Sequence, residues 1–147
     1  MEIKGVGVDL VQISRLRQVV ERWRNRFLAR VFTEAELQYC FQRRDPIPHL
    51  AARFAAKEAA LKALGTGLRM GIRWRDIEVQ RAKGRPPALV LSGRFKTIGE
   101  AKGASRGLLS LTHDGDYAVA QAMLIGDPAP AGRLAGAGSE DTDAEGR

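Results

Sequence analysis

The residues of this chain whose types could do chemistry are few and far apart. Asp9 ends an alternating apolar segment, Glu58 and Lys62 lie one helical turn apart with Arg53 just upstream, and His113 ends a second alternating segment. Carboxylates such as Glu58 suit a hard divalent cation, which takes oxygen ligands. Arg and Lys beside them suit phosphate, which Arg grips bidentately and Lys neutralises as a point charge. Each residue also has a plainer reading. Asp9 can be a turn or cap residue. Glu58 and Lys62 at i,i+4 can form an ion pair worth about 0.3–0.5 kcal/mol. His113 can be a strand-end histidine with ordinary hydrogen bonds. The choice depends on the elements that carry these residues.

Residues 53–67, RFAAKEAALKALGTG, read as the second half of a helix that begins near His49. Ala and Leu favour the helix, and Gly65 and Gly67 supply its exit. Leu50, Phe54 and Leu61 form a core-facing stripe, with Lys57 and Glu58 on either side of it. Lys57 therefore joins Lys62 and Arg53 as a phosphate candidate. Residues 3–9, IKGVGVD, read as a strand with Val6 and Val8 on one face and Asp9 on the other. Gly5 and Gly7 are unusual inside a strand and predict the close approach of another backbone or a ligand.

Ser14 is placed to cap a helix. That helix carries a core stripe of Leu16, Val19, Val20, Trp23 and Phe27. Its other faces hold Arg15, Arg17, Arg22, Arg24 and Arg26, offset only by Glu21. Arg15, Arg22 and Arg26 share roughly one face. Thr33 to Glu36 is a capping box that opens a second helix, with Leu37, Cys40 and Phe41 as its apolar stripe. Residues 43–48, RRDPIP, read as a loop. Residues 74–80 and 88–92 form a hairpin around KGRPP. Phe95, Ile98 and Lys102 give a weak helical signal. Residues 107–113 and 117–125 form a second hairpin through Asp114-Gly115-Asp116, with Leu109, Leu111 and His113 on one face.

The chain has 147 residues, 44% hydrophobic and 28% charged, as in one globular domain with a real core. No apolar run approaches the roughly 18 residues of a membrane span, and residues 1–10 lack a signal-peptide pattern, so a cytoplasmic location is expected. The single cysteine, Cys40, excludes an intrachain disulfide and reads as a small core residue. The net charge is +7. Residues 127–147 hold five acids and two arginines, a balance of −3, which leaves +10 on residues 1–126. So basic a body expects an anionic partner. The last 21 residues have one large apolar side chain, Leu134, and read as a disordered tail following a domain of residues 1–126. A nucleic-acid-binding module is the competing class, but no recognised binding motif appears and aromatics are 6% of the chain.

Taken in order, VGVD, the arginine-bearing helix, FAAKEAALKALGTG, KGRP and SLTHD resemble the holo-acyl-carrier-protein synthases, the small 4′-phosphopantetheinyl transferases. The resemblance spans about residues 3–125. It implies an α+β fold, an antiparallel β-sheet packed on a long α-helix, working as a homotrimer with active sites between subunits. It implies transfer of the phosphopantetheine arm of coenzyme A to a serine of an acyl carrier protein. It places magnesium on Asp9 and Glu58 and assigns catalysis to Glu58, Lys62 and His113. Coenzyme A falls to Arg53, Lys62, Gly65, Gly84, Pro86, Ser110 and His113, with Arg53 and His113 as candidates for the nucleotide 3′-phosphate. The acidic carrier protein falls to Arg15, Arg22 and Arg26. The general base stays open among Glu58, a metal-bound water and Asp114. Nucleic acid and membrane are not expected partners.

Overall fold

A computed structural model of the chain describes residues 1–128. Its elements run β1 (Glu2–Gln12), α1 (Ile13–Trp23), α2 (Asn25–Val31), α3 (Glu34–Phe41), α4 (Pro46–Leu64), β2 (Ile77–Gln80), β3 (Ala88–Leu91), α5 (Gly93–Ala101), β4 (Arg106–Asp114) and β5 (Tyr117–Gly126). An antiparallel sheet of order β1-β5-β4 lies against α4, and β2 and β3 form a separate hairpin. This is the expected α+β arrangement. The expectation of a disordered tail over 127–147 falls, beyond Pro128, outside the described residues.

The seating of α4 on the sheet follows from small side chains on both surfaces. The helix offers Ala55, Ala56, Ala59, Ala60 and Ala63, and β5 offers Ala120 and Ala122. On β1 the inward positions include Gly5 and Gly7, where an added Cβ would collide with the carbonyl oxygens of Ala63 and Ala59. The two glycines are thus required by the close approach of a helix backbone, as their place in a strand predicts. The helix is buried along nearly its whole length. It begins at Pro46, earlier than the two prolines suggest from sequence, because proline is tolerated in the first turn and Asp45 caps Ile47.

Three local expectations are corrected. The helix after β1 is not continuous: Arg24 adopts φ 48° and divides it into α1 and α2. Arg26 therefore lies on a different helix from Arg15 and Arg22, and Trp23 is 43% exposed rather than core. Ser14 is not a cap. Helix α1 starts at Ile13, and Asp116 of the β4–β5 turn accepts hydrogen bonds from the Ser14 amide (2.9 Å) and hydroxyl (2.6 Å). Those bonds hold the Asp116 carboxyl below its usual range. The capping box at Thr33 and Glu36 forms as expected, and Cys40 is buried.

Candidate active site

Asp9 leaves the inward face of β1 where α4 crosses it. Its carboxylate meets the Lys62 ammonium at 3.0 Å, and Lys62 also donates to the Val8 carbonyl at 3.2 Å. The i,i+4 pair read from spacing is therefore replaced: Lys62 reaches across to β1 rather than back to Glu58. Glu58 is half-buried and shares a cavity of about 580 Å³ with Asp9, Arg15, Phe54, Lys62 and Tyr117. Burial is the main cause that raises the Glu58 carboxyl above its ordinary range. The Asp9 charge adds to it, and Lys62 opposes both. A second cavity also includes Glu58 and Lys62 in its lining, together with Gly65, Thr66, Gly67, Leu68 and Arg69. Gly65 ends α4 at φ 87°, a conformation that suits glycine and turns the chain around this opening.

Lys57 belongs to none of this. It is fully buried, and its three N–H groups meet three acceptors: Glu36 at 2.9 Å and the carbonyls of Trp74 (3.2 Å) and Ile77. Glu36 also accepts from the amides of Thr33 and Val79, which ties α3, α4 and β2 together. Lys57 is a structural residue and not a phosphate ligand. The helical wheel missed this because its partners come from distant elements.

Arg53 and His113 form a second cluster. Five residues separate Arg53 from Glu58, or about 140° around the helix, so the two point from different faces. Arg53 is 3% exposed, with its guanidinium 4.3 Å from the Tyr39 ring centre. One terminal nitrogen donates to the His49 carbonyl at 3.2 Å, while the buried Nε has no partner among the described residues. Tyr39, His49, Arg53, Arg81, Leu111, Thr112 and His113 line a cavity of about 280 Å³. The His49 and His113 rings meet edge to face with centroids 5.7 Å apart. The reading of the sequence missed His49 and Tyr39. A signal for His49 existed, since it lies four residues before Arg53 on the same helix face.

The remaining candidates are dispersed. Gly84 and Pro86 stand in the exposed β2–β3 turn, just past Ala82, which lines a further cavity shared by Arg53 and Tyr39. Ser110 lies on the outer face of β4, opposite Gln121 and away from α4. Asp114 is exposed at the end of β4. Arg22 and Arg26 both stack on the Trp23 ring, at 5.1 and 5.6 Å.

The family model for the 4′-phosphopantetheinyl transferase superfamily matches residues 5–122. A holo-[acyl-carrier-protein] synthase of Syntrophotalea carbinolica is 50% identical over 125 residues, covering 85% of this chain and 98% of that one. Among solved structures, the synthase of Neisseria meningitidis superposes with a TM-score of 0.77 at 31% identity, over 84% of this chain and 99% of that one. The Helicobacter pylori synthase, solved in complex with coenzyme A, superposes with a TM-score of 0.72 at 28% identity, over 82% and 99%. The chain belongs to the 4′-phosphopantetheinyl transferase superfamily and, within it, to the holo-acyl-carrier-protein synthase family.

Proposed function

We propose that the chain transfers the 4′-phosphopantetheine arm of coenzyme A to a serine hydroxyl of an apo acyl carrier protein. The observation that carries the site assignment is the convergence of Asp9, Glu58, Lys62 and Arg15 on one cavity beside the Gly65 exit. In the reaction the serine oxygen bonds to the pantetheine-side phosphorus. The phosphoanhydride P–O bond breaks, its electron pair leaves with adenosine 3′,5′-bisphosphate, and the serine proton passes to a base. Phosphoryl transfer needs positioning and charge neutralisation more than covalent chemistry. Lys62, held at the pocket by Asp9 and Val8, is positioned to neutralise phosphate charge. Glu58, lining the same cavity, is one candidate acceptor for the serine proton.

Magnesium fits the donor set. Asp9 and Glu58 are hard oxygen donors lining one cavity, and Asp9 is near enough to raise the Glu58 carboxyl. Magnesium typically takes one or two carboxylates, with waters and substrate phosphates completing the shell. Bound there, it would neutralise pyrophosphate charge.

The homotrimer belongs to the same proposal. The outer face of the β1-β5-β4 sheet carries Val6, Val8, Leu10 and Leu108, each 43–60% exposed, an apolar surface that expects a cover. The Asp9–Glu58 and Arg53–His113 clusters also leave α4 on different faces. A neighbouring copy is the cover this reading assigns to the sheet's outer face, with active sites between subunits as the family resemblance implies.

Arg15, Arg22 and Arg26 are assigned to the acidic carrier, with residues 1–126 as the catalytic unit. Among the described residues no helix is long and apolar enough to cross a membrane. A cytoplasmic role in fatty-acid synthesis completes the proposal.

The test is mass spectrometry of several apo carrier proteins incubated with the enzyme and coenzyme A, with magnesium and with chelator. The expected result is a phosphopantetheine mass gain on the carrier serine that chelation abolishes. No gain on any carrier would overturn the transfer, and gain undiminished by chelation would overturn the metal.

A further inference from the structure

The cavity around Arg53 holds more than the two residues assigned to a phosphate. Arg53 enters from α4 with a buried Nε that has no partner among the described residues, a donor left unused. Tyr39 of α3 forms a wall. Its ring lies between two guanidinium groups, Arg43 and Arg53, each 4.3 Å from the ring centre. Arg81, after β2, and His113, from β4, line the same space. His49 lies among them, one turn before Arg53. Its ring meets Tyr39 at 6.4 Å and His113 at 5.7 Å, both edge to face.

We propose that His49 is a proton-dependent ligand of the nucleotide 3′-phosphate, taking up a proton when the phosphate binds and so helping the enzyme select coenzyme A over its 3′-dephospho form. This rests on the reading that Arg53 and His113 receive that phosphate. The charges facing His49 come from every packed element. Arg53, His113 and Arg43 disfavour its cation and, among the described residues, Asp45, the cap of α4, favours it, while Arg81 lines the same cavity. Burial, followed by Arg53, His113 and Arg43, keeps the imidazole below its ordinary range, so it is neutral at pH 7 in the free enzyme. A doubly charged phosphate entering among these groups reverses the balance. It offsets the surrounding positive charge and offers an acceptor to a protonated ring.

The consequence is proton linkage. Binding of a 3′-phosphorylated nucleotide should strengthen as pH falls from about 8 to about 6.5, across the range in which histidine titrates. The phosphate's own titration is common to wild type and His49→Phe, so comparing the two removes it.

The experiment is calorimetric titration of the full chain with adenosine 3′,5′-bisphosphate and with adenosine 5′-monophosphate, at several pH values and in buffers of different ionisation enthalpy. It uses wild type, His49→Phe, which keeps an aromatic edge for Tyr39 and His113, and Arg53→Ala. The expected result for His49→Phe is about tenfold weaker bisphosphate binding at pH 6.5, the size of one charge-assisted hydrogen bond. The loss should shrink toward pH 8, proton uptake should fall, and monophosphate binding should not change. Steady-state kcat/KM for coenzyme A against 3′-dephospho-coenzyme A should show the same selective loss. Equal losses for both nucleotides, or unchanged proton uptake and pH slope in His49→Phe, overturn the role of His49. Should Arg53→Ala also weaken both nucleotides equally, the 3′-phosphate does not bind in this cavity, and the underlying assignment falls with it.

Discussion

Lys57 and Lys62 lie five residues apart on one helix, each beside a carboxylate, and they do opposite things. Lys57 and Glu36 are fully buried, and every N–H of the ammonium has an acceptor. The Lys62 side chain is 56% exposed, and its partner Asp9 faces a cavity that also contains Glu58. A buried ion pair survives only when each charge is fully partnered, and losing one partner costs about 3–5 kcal/mol. An exposed pair contributes about 0–1 kcal/mol, so little stability is lost when a ligand displaces it. The first pair is suited to joining α3 to α4 and β2, and the second to exchanging partners with a substrate.

The sharpest way to break this contrast is to cut each lysine in turn. Lys57→Ala strands Glu36 in the core and should lower stability by about 3–5 kcal/mol in chemical denaturation. Lys62→Ala should change the unfolding free energy by no more than about 1 kcal/mol while greatly reducing transfer. A stable, active Lys57→Ala enzyme would show that the buried pair contributes little to the fold.

Next in size is the carboxylate pair. Glu58→Ala and Asp9→Ala should each reduce transfer about a hundredfold or more, with melting temperature nearly unchanged. Glu58→Gln separates charge from shape. Near-normal activity and magnesium dependence in that variant would reduce Glu58 to a bystander.

The platform that brings the two carboxylates together can be tested separately. Gly7→Ala places a methyl against the Ala59 carbonyl, so α4 must lift from β1. Overpacking of this kind costs about 1–3 kcal/mol. Transfer should fall as well, because Asp9 rides on β1 and Glu58 on α4. Thermal melts and transfer assays on the same preparation check both effects, and a Gly7→Ala enzyme with wild-type values for both would refute the tight-contact account.

How much of this could be read from the sequence depended on how local the physics was. The capping box at Thr33, the hairpin through Gly115 and the meaning of Gly5 and Gly7 were legible, because each needs only its neighbours and one general rule. Glu58 and Lys62 were legible as candidates through type and spacing and Asp9 through the family resemblance, but the bond from Lys62 to Asp9 was not, since it depends on where a strand end meets a helix. Lys57 misled for the same reason: its acceptors come from α3 and from the segment around Trp74 to Ile77. Asp116 caps α1 from the far end of the chain, and no local window contains both. Trp23 fitted a helical period that Arg24 interrupts.

That interruption sets up the smallest of the expected effects. Trp23 stands exposed, with the guanidinium groups of Arg22 and Arg26 at 5.1 and 5.6 Å from its ring centre. Such a side chain offers a carrier protein both charge and a rigid apolar surface, and the two respond differently to salt. Arg22→Glu should lower kcat/KM for the carrier about tenfold at low ionic strength. At about 1 M salt the Debye length is about 3 Å, and most of that loss should disappear. Trp23→Ala should lower kcat/KM for the carrier only about threefold, since interface aromatics matter most when centrally buried. Its loss should persist in high salt, because apolar burial is not screened. Coenzyme A binding should be unchanged in both variants. A lower melting temperature for Trp23→Ala would instead mean that the ring packs on the body as a core residue. A loss in Trp23→Ala that fades with salt in parallel with Arg22→Glu would mean that the ring acts only by holding the two arginines in place.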